Sequence, residues 1–183
     1  MPLFPASSSD LDAVAALVNG AYRGDGGARG WTHEADYIDG PRTSADVLRA
    51  DLAAQREGGL FLWRDGVDAE ALGCVWMEPA GADAWYLGML SVRPDLQDRR
   101  LGRAILEAAE VWAAGRGARR VRLTVINIRD TLIAWYERRG YARTGETRQF
   151  PYGDDRFGKP GRADLSFVVL EKSRLPAARG EGG

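Results

Sequence analysis

The segment between Val92 and Ala104 restricts the possible folds of this chain more than any other part of its sequence. It follows a strongly apolar run at residues 85–92, which is typical of a buried strand. Pro94 ends that strand, because proline cannot donate to a strand ladder. The next residues repeat with helical spacing on one apolar face, at Leu101, Ile105, Ala108, Ala109 and Trp112. We therefore expect a strand that leads directly into the N-terminus of a helix.

The start of this helix is suited to binding an anion. The first N–H groups of a helix have no intrahelical acceptor and lie at the positive end of the helix dipole. Gly102 and Ala104 leave room for a phosphate group to approach the backbone. Arg99, Arg100 and Arg103 add positive charge. The same pattern is also typical of an exposed basic first turn without a ligand, so the residues alone leave both interpretations open.

The rest of the chain predicts two helices followed by a mixed series of strands and helices. Capping-box spacing occurs at Ser9 and Asp12 and again at Thr43 and Asp46, each before an amphipathic pattern. Strand patterns follow at residues 60–63, 73–77, 85–92, 121–125 and 165–170, with another from residue 141 and a helix capped by Asp130. We expect one α+β domain over residues 1–175 and a disordered tail over 176–183.

Composition excludes several kinds of site. The 183 residues include one histidine, His33, and one cysteine, Cys74, which rules out an internal disulfide and a zinc site rich in cysteine or histidine. The formal net charge is −1, from 25 basic and 26 acidic residues, so overall charge gives no reason to expect a nucleic-acid or membrane partner. The sequence lacks a signal-peptide pattern at its start, and we expect a cytoplasmic protein without a metal.

The segment from Val92 to Ala104 resembles the signature of the GNAT superfamily, the acetyl-CoA-dependent N-acetyltransferases. In that signature, V-x-P-x-x-Q/R-x-x-G-x-G/A opens the helix that holds the coenzyme pyrophosphate. The residues that match are Val92, Pro94, Gln97, Gly102 and Ala104, whereas Asp98 and Arg100 stand where glycines are common. The resemblance implies a mixed, mostly antiparallel sheet flanked by helices. It also implies coenzyme binding by Leu90, Val92, Gln97, Arg99, Arg100, Leu101, Gly102, Arg103 and Ala104.

A second block, residues 121–145, resembles the following strand and helix of the same family. Its helix carries Trp135 and Tyr136 and is followed by Gly140 and Tyr141. By resemblance, Tyr136 is the general acid beside the coenzyme sulfur. Read from the sequence pattern alone, it would be a core tyrosine on an amphipathic helix. Many relatives have an asparagine at the position of Arg129, whereas this chain has Asn127 slightly earlier, and we assign coenzyme binding to Asn127 on that basis.

The reaction that the resemblance implies is attack of a primary amine on acetyl-CoA. The acceptor would be a small molecule or an amino-acid-like compound. Gly88 interrupts the strand at residues 85–92, which often marks a bulge, and the backbone of Met89 or Leu90 would then be free to bind the acetyl carbonyl. The general base is not evident from the sequence: Glu78, the long early loop and water are all open.

The loop from Arg23 to Thr43 corresponds to the segment that covers the substrate in this family. Trp31, Glu34 and Asp36 offer an aromatic face and two carboxylates, which suit an ammonium group. A solvated acidic loop whose aromatic residue packs on the body of the protein explains the same residues equally well.

Three further possibilities belong beside this interpretation. A non-catalytic acyl-CoA-binding regulatory module of the same fold would explain the departures at Asp98, Arg100 and Arg129. A dinucleotide-dependent oxidoreductase is disfavoured, because the phosphate-type turn lacks G-x-G-x-x-G. Small enzymes are often symmetric dimers, so a homodimer is also possible.

Overall fold

The computed structural model describes residues 3–24, 33–154, 156 and 158–176, without the side chains of Gln97 and Asp98. Trp31 and most of the expected tail therefore lie outside the described residues. The strands are β1 (Leu3–Pro5), β2 (Ile38–Asp39), β3 (Gly59–Trp63), β4 (Gly73–Pro79), β5 (Ala84–Val92), β6 (Arg120–Ile126), β7 (Ala142–Gln149), β8 (Lys159–Pro160) and β9 (Ser166–Lys172). The helices are α1 (Leu11–Arg23), α2 (Ala45–Ala54), α3 (Leu101–Ala114) and α4 (Asp130–Glu137), with 3₁₀ turns at Ser8–Asp10 and Pro94–Arg99.

Seven of these strands form one mixed sheet in the order β1-β3-β4-β5-β6-β9-β7. The registered pair β5 and β6 is parallel, and the other neighbouring pairs are antiparallel. The short strands β2 and β8 form a separate antiparallel pair. The expected α+β fold with a mostly antiparallel sheet flanked by helices is confirmed.

Both faces of the sheet are buried, because alternate residues of its central strands belong to two different core clusters. In β4, Val75 and Met77 pack in the cluster that contains α3, whereas Cys74 and Trp76 pack in the cluster that contains α1. This alternation is the two-residue period of an extended strand. The sheet therefore separates α3 on one face from α1 on the other.

The helix starts differ slightly from the sequence expectation. The first capping interaction joins Ser7 to Asp10, whose carboxylate accepts from the Ser7 backbone N–H and hydroxyl at 2.7 Å each. Ser44, rather than Thr43, caps α2 and accepts from the N–H of Val47 at 3.3 Å. Neighbouring serine and threonine residues offer the same hydroxyl, so sequence spacing alone cannot choose between them. Strands β1, β2 and β8 are too short to show a pattern.

The centre of the sheet contains the irregularity that shapes the site. The register between β4 and β5 shifts by one residue between Cys74 and Trp76, and Met89 adopts a left-handed conformation with φ +51°. The bulge expected near Gly88 is therefore present, with the left-handed residue one position later. On its other side, β5 pairs with β6 only from Ala84 to Tyr86. Beyond that point the two parallel strands diverge and open a cleft.

None of the helices in the described part of the chain has the length and apolar character needed to cross a bilayer.

Candidate active site

A cavity of about 320 Å³ occupies the cleft between β5 and β6. Both strands contribute to its wall where they no longer pair, and α1, α4, β7 and β9 complete it. The lining residues of the two diverging strands are Tyr86, Leu87, Gly88, Met89, Leu90, Leu123, Thr124, Val125 and Ile126. The remaining lining residues are Tyr22, Arg23, Glu34, Ile38, Arg42, Leu132, Tyr136, Arg148, Gln149, Phe150, Pro151 and Phe167.

Tyr136 lies on α4 and lines this cavity although only 5% of its surface is exposed. Its ring is held edge-on between Trp135 and Tyr141, with centroid distances of 4.9 and 5.5 Å. Burial raises the pKa of the Tyr136 phenol above its ordinary value. The phenol therefore keeps its proton at neutral pH and lines the cavity in its protonated form.

The bulge in β5 also lines the cavity, through Gly88, Met89 and Leu90. The Met89 carbonyl accepts from the Ser91 hydroxyl at 3.1 Å and lies 3.7 Å from the Cys74 sulfur, so it is engaged on the core side. Leu90 lines the cavity and is buried. Val92 is also buried, but in the core cluster, and its register partner is Gly73. Val92 therefore fixes the end of β5 and does not line the cavity.

The N-terminus of α3, which the sequence predicts to bind phosphate, presents backbone N–H groups without intrahelical acceptors. Arg100 precedes α3 with φ +60° and ψ 14°, and no side chain caps this end of the helix. The Ala104 N–H donates to the Arg100 carbonyl at 3.2 Å, so the N–H groups of Leu101, Gly102 and Arg103 precede the first such bond. Gly102 is buried against the body of the protein. An anion could bind to these N–H groups.

The predicted arginines differ in how they are placed around this helix start. Arg99 and Arg100 are exposed, whereas Arg103 donates to Glu107 at 2.7 Å along the outer face of α3. The Gln97 side chain lies outside the described residues. A second basic surface, which the sequence reading did not identify, borders a cavity of about 490 Å³ beside Arg103; its other cationic lining residues are Arg138, Arg139 and Lys172.

Asn127 is placed differently from the sequence assignment. Its amide donates to the Asp164 carbonyl and accepts from the Ser166 N–H, both at 3.0 Å. The side chain thus joins the end of β6 to the segment that precedes β9, and it is not among the residues that line the cavity. Its polar atoms are used within the protein, so we do not propose it as a coenzyme ligand.

Glu34 lines the cavity but is already paired. It accepts from Arg23 at 2.8 Å and lies 3.4 Å from Arg129, and the three side chains are 8–10% exposed. Two arginines on one carboxylate make Glu34 a poor ligand for an ammonium group. Asp36 is 57% exposed beside His33 and does not line the cavity. Trp31 lies outside the described residues, and of the two predicted carboxylates only that of Glu34 lines the cavity.

A second cavity of about 360 Å³ adjoins the first and shares Arg42, Tyr86, Gly88 and Met89 with it. It adds two carboxylates, Asp51 of α2 and Glu78 of β4. The Glu78 carboxylate accepts from the Trp76 indole N–H at 2.7 Å, which fixes its orientation. The carboxylates at this site therefore come from α2 and β4.

The sequence reading did not identify Tyr22 and Arg42 as site residues. Arg42 lies 5.5 Å from the centre of the Tyr22 ring, and both line the cavity in the β5–β6 cleft. Asn19 holds the backbone beside Arg42, because its side-chain oxygen accepts from the N–H groups of Arg42 and Thr43 at 2.7 and 3.2 Å. No local pattern marks these residues, since α1 and the segment before α2 meet only in the folded chain.

Other reactive groups do not form a site in the described residues. No group of three or more histidine, cysteine, aspartate or glutamate side chains is placed there to hold a metal. Cys74 is fully buried, and burial raises the pKa of its thiol to about 12. A thiol with that pKa is not a nucleophile at neutral pH.

Comparison with known proteins connects this geometry to a family. Solved structures share the fold, among them the ribosomal-protein-S18-alanine N-acetyltransferase from Escherichia coli, at 19% identity over 99% of this chain and 98% of that chain with a TM-score of 0.64. An N-acetyltransferase from Staphylococcus aureus is 15% identical over 93% of this chain and 96% of that chain, with a TM-score of 0.64. The ribosomal-protein-alanine N-acetyltransferase from Brucella melitensis is 15% identical over 95% of this chain and 100% of that chain, with a TM-score of 0.65.

Sequence comparison gives the family itself. No curated protein sequence matches the chain. The model of the acetyltransferase (GNAT) family matches residues 18–141, which include β5, the Val92–Ala104 segment and Tyr136. Because this match spans more than half of the chain, the chain belongs to the GNAT family of acetyltransferases, enzymes that use acetyl-CoA as their acyl donor.

Proposed function

We propose that this protein transfers the acetyl group of acetyl-CoA to a primary amine of a small or amino-acid-like molecule by direct attack, with Tyr136 as the general acid. The observation that carries the proposal is the cleft between β5 and β6, which opens onto the protonated Tyr136 phenol. Acetyl-CoA supplies an activated thioester carbonyl and a thiolate leaving group. In the reaction the amine nitrogen bonds to that carbonyl carbon and the carbon–sulfur bond breaks.

Tyr136 would supply the proton that the departing thiolate takes up. General acids of this kind contribute roughly 10²–10⁴-fold to rate. The rings of Trp135 and Tyr141 restrict the Tyr136 ring to one orientation, which favours an aligned proton transfer.

The acceptor amine must lose a proton, and Glu78 is the carboxylate that we assign to this step. Asp51 is the other carboxylate of the second cavity, but Glu78 is fixed by Trp76 and lies opposite Tyr86 in the β4–β5 register. Tyr86, Gly88 and Met89 line both cavities, so an amine bound near Glu78 is adjacent to the cleft.

The backbone supplies the remaining groups. At the bulge the ladder between β4 and β5 is interrupted, and the N–H of Met89 or Leu90 is the donor that we assign to the thioester oxygen. The N–H groups at the start of α3 would hold the coenzyme phosphates, with Arg99 and Arg100 adding positive charge. Neither role requires a particular side chain at positions 89 or 100.

Substitution of Tyr136 by phenylalanine tests the assignment. Tyr136→Phe should lower kcat by about 10²-fold or more and leave the Kd for acetyl-CoA within about twofold, as calorimetry and steady-state kinetics would show. Because the raised pKa keeps the phenol protonated, the wild-type rate should show no loss from Tyr136 ionisation up to about pH 10.

Tyr141→Phe is the matched control. Tyr141 packs against Tyr136, but its hydroxyl donates to Glu110 at 3.0 Å and it does not line the cavity. Its loss should lower stability and leave kcat nearly unchanged. Equal losses of kcat and of acetyl-CoA affinity in Tyr136→Phe would contradict the acid role, and absence of acetyl-CoA binding at millimolar ligand would contradict the function.

A further inference from the structure

The two cavities beside the β5 bulge differ in the sign of their charge. Among the described residues, the cavity in the β5–β6 cleft is lined by Arg23, Arg42 and Arg148 against the single carboxylate of Glu34. The second cavity has Asp51 and Glu78 against Arg42, which belongs to both. An acceptor that spans the bulge would therefore meet carboxylates on one side and guanidinium groups on the other.

The carboxylate of the cavity in the cleft is shared between two arginines, while Arg148 is paired at 3.0 Å with Glu146, which does not line the cavity. Glu34 is engaged by Arg23 within the cavity wall and by Arg129 behind it, and all three side chains are at most 10% exposed. A buried carboxylate held by two guanidinium groups leaves positive potential at the surface of the cavity. An amine without a negative group would be repelled from this side.

Arg42 is held where it can contact a ligand in either cavity. Asn19 accepts from the backbone N–H groups of residues 42 and 43 and donates to the Thr43 carbonyl at 2.9 Å. The Arg42 guanidinium lies 5.5 Å from the centre of the Tyr22 ring. The backbone of Arg42 is thus fixed before a ligand arrives, which lowers the entropy lost on binding.

The rest of the cavity in the cleft is mainly apolar. Leu123, Phe150 and Phe167 line it, and Phe167 lies opposite Arg148 in the β7–β9 register. These three side chains offer no carboxylate that would hold a second ammonium, and they suit an aliphatic or aromatic body.

We propose that the acceptor is an amine that also carries a carboxylate on an apolar body, as a free apolar amino acid does, and that Arg42 binds the carboxylate. The inference rests on the proposed function and adds the class of acceptor. The ammonium group lies toward Glu78 and the carboxylate toward Arg42, with the bulge of β5 between them. Arg42 makes a bidentate charge-assisted contact that lysine cannot reproduce.

Matched acceptors test the proposal directly. The rates of CoA release are measured with L-phenylalanine and L-leucine, with the carboxamide of each, and with the diamine cadaverine. The carboxamides have the more readily deprotonated amines, so intrinsic reactivity favours them. A kcat/KM at least about thirtyfold higher for the free acids would therefore report recognition of the carboxylate.

Substitution of Arg42 identifies the residue responsible. Arg42→Gln should raise the KM for the free acids by at least about thirtyfold and narrow the preference over the carboxamides, while the Kd for acetyl-CoA stays within about twofold. Arg42→Lys should restore only part of the affinity. Arg49→Gln is the control, because Arg49 lies on α2, is exposed and pairs with Asp46 outside both cavities.

The outcomes separate this inference from the proposed function. Acetylation of cadaverine or the carboxamides at rates equal to or above those of the acids would overturn the inference and leave the acetyltransferase in place. The same holds for acetylation of a C-terminally amidated peptide alone, or for an unchanged KM in Arg42→Gln. Acetyl-CoA binding with no transfer to any of the free acids also overturns the inference. Absence of acetyl-CoA binding would instead remove the proposed function.

Discussion

Arg100 has a left-handed backbone, with φ +60°, at the point where the 3₁₀ turn passes into α3. Glycine adopts this conformation freely, whereas a residue with a Cβ does so at a cost of about 1 kcal/mol. The sequence reading noted that glycine is common at this position in the family. The conformation explains why, and it shows that the turn keeps its geometry with arginine present.

Replacement of Arg100 separates backbone strain from charge. The free energy of unfolding should be about 1 kcal/mol higher for Arg100→Gly than for Arg100→Ala, which corresponds to a Tm higher by about 2–4 °C. Both variants lack the guanidinium, and only glycine relieves the backbone strain. Thermal unfolding of the two variants measures this difference.

Calorimetry on the same pair tests the coenzyme site. If backbone N–H groups bind the phosphates, the two variants should show the same Kd for acetyl-CoA, weaker than wild type by the contribution of one exposed charge. An alanine variant that binds far more weakly than the glycine variant would show that the turn itself adapts to the ligand.

Strand β5 shows how one element can form several parts of a site. It pairs with β4 on one side, parts from β6 on the other, and carries the bulge between them. Gly88 lies at this point, and a Cβ there would lie 2.8 Å from Cε1 and 3.2 Å from the hydroxyl of Tyr86. The Tyr86 hydroxyl in turn lies 3.1 Å from that of Thr124, across the cleft.

Gly88→Ala should therefore displace Tyr86 without unfolding the sheet. Because Tyr86 lines both cavities, we expect the acceptor KM to rise by about tenfold or more, with the Kd for acetyl-CoA within about twofold. Gly66→Ala is the control, since a Cβ at position 66 meets no atom within 4 Å. Unchanged kinetics in Gly88→Ala would show that Tyr86 does not shape the acceptor site.

Periodicity explains which elements the sequence could predict. The five strand patterns, the helix at α3 and the helix that carries Tyr136 are local signals, and the structure has each of them. The cavity is different, because its wall combines α1, β5, β6, α4, β7 and β9. Asn127 and Glu34 have side chains that could bind a ligand, but both are engaged by hydrogen bonds or ion pairs within the protein. Only the three-dimensional contacts distinguish these cases.

At the scale of the molecule, the buried cluster of Arg23, Glu34 and Arg129 joins distant parts of the chain. It connects the end of α1, the segment before β2 and the turn that leads into α4. Loss of Glu34 would remove the carboxylate that two largely buried guanidinium groups share, which costs more than the loss of an exposed ion pair.

Glu34→Gln should therefore lower the free energy of unfolding by about 3 kcal/mol, because it leaves two largely buried guanidinium groups on a neutral amide. Urea denaturation measures the change. Asp36→Asn is the control in the same segment, and because Asp36 is 57% exposed its change should stay within about 1 kcal/mol. A stable Glu34→Gln variant with a raised acceptor KM would instead identify Glu34 as the ligand for the amine.

We propose that the cleft between β5 and β6 catalyses acetyl transfer to an amine that carries a carboxylate. The most direct measurement is CoA release by the wild-type protein with acetyl-CoA, with and without L-phenylalanine or L-leucine, together with mass spectrometry of the product. We predict CoA release that depends on the amino acid and equals the N-acetyl amino acid formed. Acetyl-CoA binding without any amine-dependent CoA release would contradict this proposal and favour a protein that binds acyl-CoA without catalysis.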